Sequence, residues 1–187
     1  MINILTIKLT VLIIGSLVIL WTSQRALRKP GTHGSTRFIA WEAILILIVI
    51  NLDNWFDDPF SWNQIISWIL LITSIVLVYK GVKMLRDRGM PNSNRDDPTL
   101  VGIEKTTELV TEGIYAHIRH PLYSSLLFLT WGAFFKYPSW SSGCIATVAT
   151  VFLYITGKIE ENENYKFFGE SYLDYSEHTK MFIPFIF

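Results

Sequence analysis

The chain has 187 residues, half of them apolar and 14% aromatic, with only 17% charged. Its 16 Lys and Arg balance 16 Asp and Glu, so it lacks the basic excess that phosphate contacts demand, which argues against a nucleic-acid binder. A single cysteine, Cys144, excludes a disulfide framework and any multi-cysteine metal cage.

Taken in chain order, the apolar residues fall into runs. Ile2 to Trp21 is long enough to cross ~30 Å of hydrocarbon as a helix rising ~1.5 Å per residue. It has neither the basic start nor the small-residue cleavage site of a signal peptide, so it is expected to remain in the mature protein. A second run covers Phe38 to Leu52 and a third Ile65 to about Val82. The segment from Asp87 to Glu108 is polar and rich in Pro, Asn and Asp, which marks a turn-rich loop. A fourth run follows from Pro121 to Phe135, and a fifth from Trp140 to about Gly157, with Cys144 read as one of its packed apolar residues. The second and fourth are short for spans by themselves. Five such runs leave too little polar surface for a soluble bundle, so the expected fold is all-α: a polytopic membrane helix bundle with about five transmembrane helices and a C-terminal cytoplasmic helical region.

Charge orients this bundle. Fourteen of the 16 basic residues lie in the first connection, between runs three and four, or in the tail. The second connection, Asp53 to Asn63, has none and carries Asp53, Asp57 and Asp58. The positive-inside rule then places the N-terminus outside and the C-terminus in the cytoplasm, in agreement with an odd number of spans. Trp41, Trp55, Trp62, Trp68, Trp131 and Trp140 lie mostly near run ends and read as interfacial anchors.

Two polar clusters flank the last two runs. The first is Gly113-Ile114-Tyr115-Ala116-His117-Ile118-Arg119-His120-Pro121-Leu122-Tyr123. Pro121 suits the first turn of a helix and keeps His120 out of the helical conformation, which holds His120 at the mouth of the bundle beside Arg119 and Tyr123. The second is Lys158-Ile159-Glu160-Glu161, after which Glu161, Tyr165, Phe168, Tyr172 and Tyr175 recur at helical spacing with a bend near Gly169. Each cluster alone also reads without chemistry, the first as residues snorkelling to headgroups and the second as an amphipathic interfacial helix.

Together, the pattern Gly-x-Tyr-x-x-x-Arg-His-Pro-x-Tyr over 113–123, one run, Glu160-Glu161, then Phe168-Gly169-x-x-Tyr172-x-x-Tyr175 and Pro184 resembles the isoprenylcysteine carboxyl methyltransferase and phospholipid methyltransferase superfamily of integral membrane enzymes. The likeness covers roughly the last 80 residues, so residues 1–98 are taken as N-terminal transmembrane helices and loop, and 99–187 as the catalytic region. It implies S-adenosylmethionine-dependent methyl transfer to a lipophilic acceptor, an isoprenylcysteine-like carboxylate or a phospholipid amine, at the cytoplasmic membrane face, with membrane lipids as further partners. The resemblance further implies Tyr115, His120, Pro121, Tyr123 and Glu161 as cofactor contacts, a catalytic set of Glu160 with Arg119 and Lys158, and no metal. The absence of a Gly-x-Gly-x-x-Gly fingerprint agrees with a cofactor pocket that is not a Rossmann domain.

One position departs from the pattern: the related enzymes carry arginine four residues before the glutamate, and here that residue is Thr156. Lys158 is the nearby cation but projects from another side of the helix, so it reproduces neither the placement nor the planar fork of an arginine. Two other classes compete. A sterol reductase-like membrane enzyme would bind NADPH in place of S-adenosylmethionine, and an inactive membrane scaffold would bind neither cofactor and would tolerate substitution of His120.

Overall fold

The computed structural model describes residues 3–90 and 105–184, so most of the turn-rich loop lies outside the described residues. The described residues form six α-helices: α1 (Ile4–Leu27), α2 (His33–Ile50), α3 (Trp62–Arg88), α4 (Pro121–Phe134), α5 (Trp140–Phe168) and α6 (Glu170–His178). Among the described residues there is no strand pairing beyond one isolated bridge, Ile118 with Lys180. The all-α membrane bundle expected from the sequence is what is found. Four helices, α1, α2, α3 and α5, are long and apolar enough to cross a membrane. The fourth run forms the 14-residue α4, about 21 Å at the helical rise, which is less than the ~30 Å hydrocarbon thickness.

The packing is inverted relative to a soluble bundle. Ile13, Ile14, Leu17, Ile69, Ile72 and Ile75 are exposed, whereas Ser67, Ser74, Ser124, Ser125 and Thr130 are buried. Large aliphatic side chains facing outward suit lipid, and small residues at helix interfaces allow close backbone approach. Between α3 and α4 the hydroxyls of Ser67 and Ser74 donate to the carbonyls of Gly132 and Ser125, each at 2.7 Å. Between α2 and α5, Ala40, Ala43, Ala146 and Ala149 are buried and form the seam. The peripheral α1 is tied to α2 by Ser16, whose hydroxyl donates to Glu42 at 2.8 Å. Cys144 is exposed rather than packed, because Ser142 and Ala146 occupy the buried side of this part of α5.

One end of the bundle is closed around Lys136. Its ammonium is buried, donates to Gln64 Oε1 at 2.9 Å and stands 3.4 Å from the Trp68 ring centroid, with Trp55 at 5.3 Å. These two tryptophans therefore wrap a cation. Lys8 of α1 donates to the Ile50 carbonyl at 3.2 Å and pairs with Asp53, which puts the start of α1 at the same end as the acidic connection.

At the opposite end, α5 continues three turns past its apolar stretch, which ends near Gly157, and stops at Gly169. The φ of +63° and ψ of −140° at Gly169 lie in a region that side-chain-bearing residues rarely adopt, so the chain turns there and α6 folds back. The bend near Gly169 is as expected, but the aromatic residues do not share one environment across it: Tyr172 and Tyr175 are buried, and Tyr165 is exposed.

Candidate functional site

The site forms where three segments meet: the loop leading into α4, the extension of α5, and α6 with the strap that follows it. Residues 113–116 make one turn of 3₁₀-helix, after which the chain runs extended into Pro121, the first residue of α4. His120 precedes it at φ −122° and ψ 62°, outside the helical region as the following proline requires. The strap after α6 lies alongside this loop. Arg119 N donates to the Lys180 carbonyl at 2.8 Å, His120 N to Met181 at 3.1 Å and Lys180 N back to His117 at 3.2 Å. The Ser124 hydroxyl adds a bond to the Phe182 carbonyl at 2.7 Å. Met181 and Phe182 sit directly over Gly157, where a β-carbon would come within 2.5 Å of Met181 Cε and 3.1 Å of Phe182 Cζ. The absence of a side chain at Gly157 lets Met181 and Phe182 of the strap pack directly on α5.

Arg119 locks these pieces together. Its Nε donates to Glu161 Oε1 at 2.7 Å, and its Nη1 donates to the carbonyls of Ser176, at 2.9 Å, and Thr179. One guanidinium thus joins the loop, α5 and the end of α6, a task for which its fork of donors is suited. Lys158, half exposed, reaches the other Glu161 oxygen at 2.9 Å. Glu161 is therefore held between two cations at the edge of the site.

Glu160 faces inward. The Tyr123 hydroxyl donates to its Oε2, and His120 Nδ1 lies 3.8 Å from its Oε1. The His120 and Tyr123 rings stack with centroids 5.5 Å apart. With Tyr115, Arg119, Pro121, Asn164, Phe168, Tyr172 and Tyr175, these residues line one cleft. Tyr175 supports its wall by donating to the Tyr115 carbonyl at 2.7 Å. Two buried polar atoms on cleft residues have no hydrogen-bond partner: His120 Nε2, 3.7 Å from Glu161 Oε1, and the Tyr172 hydroxyl, beside Asn164 but out of bonding geometry. Burial and the neighbouring Glu160 and Glu161 push the Tyr172 phenol well above its ordinary pKa, so it remains a neutral donor. Orphaned buried polar atoms on cleft walls suit a polar ligand.

Of the residues singled out in the sequence, Glu160, Arg119, Tyr115, His120, Pro121 and Tyr123 are brought together in the cleft. Lys158 and Glu161 stand at its edge. Thr156 is fully buried, with its hydroxyl hydrogen-bonded to Thr36 of α2 at 2.8 Å and to the Phe152 carbonyl at 2.6 Å. Sequence reasoning missed the residues of α2 that pack against the Glu160-bearing part of α5. His33, buried, donates its backbone N to Glu163 Oε1 at 3.3 Å and pairs through Nδ1 with the other oxygen, and Arg37 is buried one turn further on. Their spacing of four residues on a helix was the available signal, but Arg37 reads from sequence simply as one of the basic residues flanking a span.

A sequence profile of phospholipid methyltransferases matches residues 62–171. The chain belongs to the phospholipid methyltransferase family. Within this family's wider superfamily, it is 31% identical over 147 residues to protein-S-isoprenylcysteine O-methyltransferase of Mus musculus, covering 74% of this chain and 51% of that protein. It is 28% identical over 123 residues to protein-S-isoprenylcysteine O-methyltransferase B of Arabidopsis thaliana, covering 64% and 61%. Methanethiol S-methyltransferase 1 of Bradyrhizobium diazoefficiens is 30% identical over 121 residues, covering 63% and 39%. The phospholipid methyltransferase-like chain thus spans about half the length of the mouse relative. No solved structure matches it.

Proposed function

We propose that the protein is an S-adenosylmethionine-dependent methyltransferase acting on a lipophilic acceptor at the cytoplasmic face of a membrane, with its N-terminus outside and its C-terminus inside. The observation that carries this reading is the cleft in which Tyr123 and His120 hold Glu160 one turn beyond the apolar part of α5. Immediately beside it, Tyr123 and Phe182 also border a groove of about 340 Å³ between α4 and α5, lined otherwise by Leu127, Thr150, Val151, Leu153 and Tyr154. A polar cleft and an apolar groove sharing Tyr123 suit a reaction between a water-soluble donor and a membrane-dissolved acceptor.

The polar residues fit the cofactor's chemistry. S-adenosylmethionine supplies an electrophilic methyl group on a sulfonium, together with ammonium, carboxylate, ribose and adenine groups that need polar partners. His120 Nε2 and the Tyr172 hydroxyl are available to such groups. Tyr115 and Pro121 shape the loop that lines the same cleft, and Arg119 and Glu161 pin that loop to α5 and α6.

In this reading the protein has little covalent work to do. It holds the acceptor heteroatom in line with the methyl carbon and keeps water out. Glu160 orients the acceptor and takes its proton where it carries one; Tyr123 fixes the carboxylate for that role. The relatives' names span a prenylcysteine carboxylate and a thiol as acceptors. With Thr156 in place of an arginine fork, an amine or thiol acceptor stands beside the carboxylate as a test substrate. Calorimetry on the detergent-purified protein with S-adenosylhomocysteine and with NADPH tests the cofactor. Binding of S-adenosylhomocysteine alone is expected, and a response to NADPH alone would make the protein a reductase.

A further inference from the structure

The first turn of α2 completes the site from a side that the family match at 62–171 does not include. His33 meets Glu163, and Thr36 meets Thr156, so the start of α2 runs antiparallel along the turns of α5 that carry Glu160. Arg37 follows Thr36 and lies one turn from His33, and it is only 2% exposed. Its guanidinium stands 4.9 Å from the Trp41 ring centroid, and its charge bears on both His33 and Glu160.

Burying a guanidinium in a membrane protein is costly unless anionic groups oppose it. The carboxylates on the facing stretch of α5 are Glu160 and Glu163. His33 already engages Glu163 through both its backbone and its ring, and Thr156 is uncharged and occupied by Thr36. Glu160 is the carboxylate whose other neighbours bring no fixed cation: Tyr123 and His120 on the α4 side, Glu161 and Glu163 on its own helix and Tyr172 on α6 supply one histidine, His33 on α2 supplies a second that is itself engaged with Glu163, and Arg119 is committed to Glu161.

We propose that Arg37 is a positioning residue for Glu160: from α2, behind the cleft, it supplies the fixed positive charge that keeps this carboxylate ionised and aimed at the acceptor. The proposal rests on the methyltransferase reading for its consequence, but the placement of charge stands without it.

The test uses the full-length protein in detergent, with Arg37→Gln, Arg37→Lys and, to assign the band, Glu160→Gln. Infrared difference titration of the carboxyl region, without cofactor or acceptor, follows the protonation of Glu160 directly. In Arg37→Gln, Glu160 is expected to protonate about one pH unit or more higher than in the wild type, and Arg37→Lys to return most of that shift. The affinity for S-adenosylhomocysteine, measured in parallel, is expected to change by less than about threefold, which shows that the cleft is intact. The acid limb of methyl transfer moves with the infrared titration, to higher pH, because a carboxylate that protonates earlier is lost earlier as pH falls. An unmoved Glu160 titration in a folded Arg37→Gln protein would overturn the proposal, as would loss of S-adenosylhomocysteine binding in Arg37→Lys and Arg37→Gln alike, which would make Arg37 a packing residue. A titration shift in Arg37→Gln together with a wild-type protein that binds no S-adenosylhomocysteine would instead remove the methyltransferase reading and leave the charge placement standing.

Discussion

Tyr123 and Glu160 meet across the gap between α4 and α5, and the hydrogen bond between them is the contact on which the proposed chemistry depends most directly. A hydrogen bond to a charged group contributes about 1.5–3 kcal/mol, so Tyr123→Phe is expected to slow methyl transfer by roughly tenfold to a hundredfold while leaving the helical circular dichroism unchanged. Glu160→Gln, which preserves shape and removes charge, is expected to slow turnover by about a hundredfold or more with normal membrane insertion. Full activity in that variant would remove Glu160 from the mechanism. The residues on the α4 side of this site were legible in the sequence because Pro121 fixes where the helix starts and therefore where His120 and Tyr123 stand. The role of Arg119 was less so. Besides Glu161, its partners are two backbone carbonyls about 60 residues away, and main-chain acceptors leave no signature in side-chain identity.

Among the elements, the strap after α6 carries the most weight for its length. It adds backbone hydrogen bonds along the loop from His117 to His120, and it is seated on Gly157. Gly157→Val places branched carbons where Met181 and Phe182 lie, so the strap must lift. Loss of S-adenosylhomocysteine binding and faster proteolysis after residue 178 are the expected outcomes, with α1 to α4 unaffected. Arg119→Lys keeps the charge but cannot serve Glu161 and two carbonyls at once, and the same proteolysis assay is expected to show the C-terminal segment loosened by about 2 kcal/mol. A strap as firmly protected as in the wild type would mean that Arg119 is not its clamp. The apolar runs announced five of the helices, and the bend near Gly169 was visible as a glycine within an aromatic pattern. Apart from Pro184 the strap left no mark in the sequence, since residues 179–183 have no apolar periodicity and are ordered by contacts with the loop that leads into α4.

At the scale of the whole molecule, the arrangement is a lipid-facing bundle with a cation-locked end and an opposite end that carries the cleft. Outward isoleucines and inward serines are the signature of a chain that folds against hydrocarbon. The neutral net charge hides a segregation of basic residues toward the end that carries the cleft, and the proposed orientation rests on that segregation. What it concealed was Arg37, which counts toward the basic total but is buried against α5. Orientation has a direct check in a Cys144→Ala background. A cysteine at Asp57, in the acidic connection, is expected to react with a membrane-impermeant maleimide in intact cells, and one at Glu177 on α6 only after permeabilisation. The reverse pattern would place the cleft on the outer face and contradict the proposed orientation.

The central claim, that this cleft transfers a methyl group to a membrane-dissolved acceptor, is tested most directly by incubating membranes containing the protein with methyl-labelled S-adenosylmethionine and extracting the lipids. The account predicts label in the lipid phase with the wild type and its loss with Glu160→Gln. Release by base would mark a methyl ester, and base-stable label an N-methyl or S-methyl product. Equal label in membranes with and without the protein, in a preparation that also fails to bind S-adenosylhomocysteine, would contradict it.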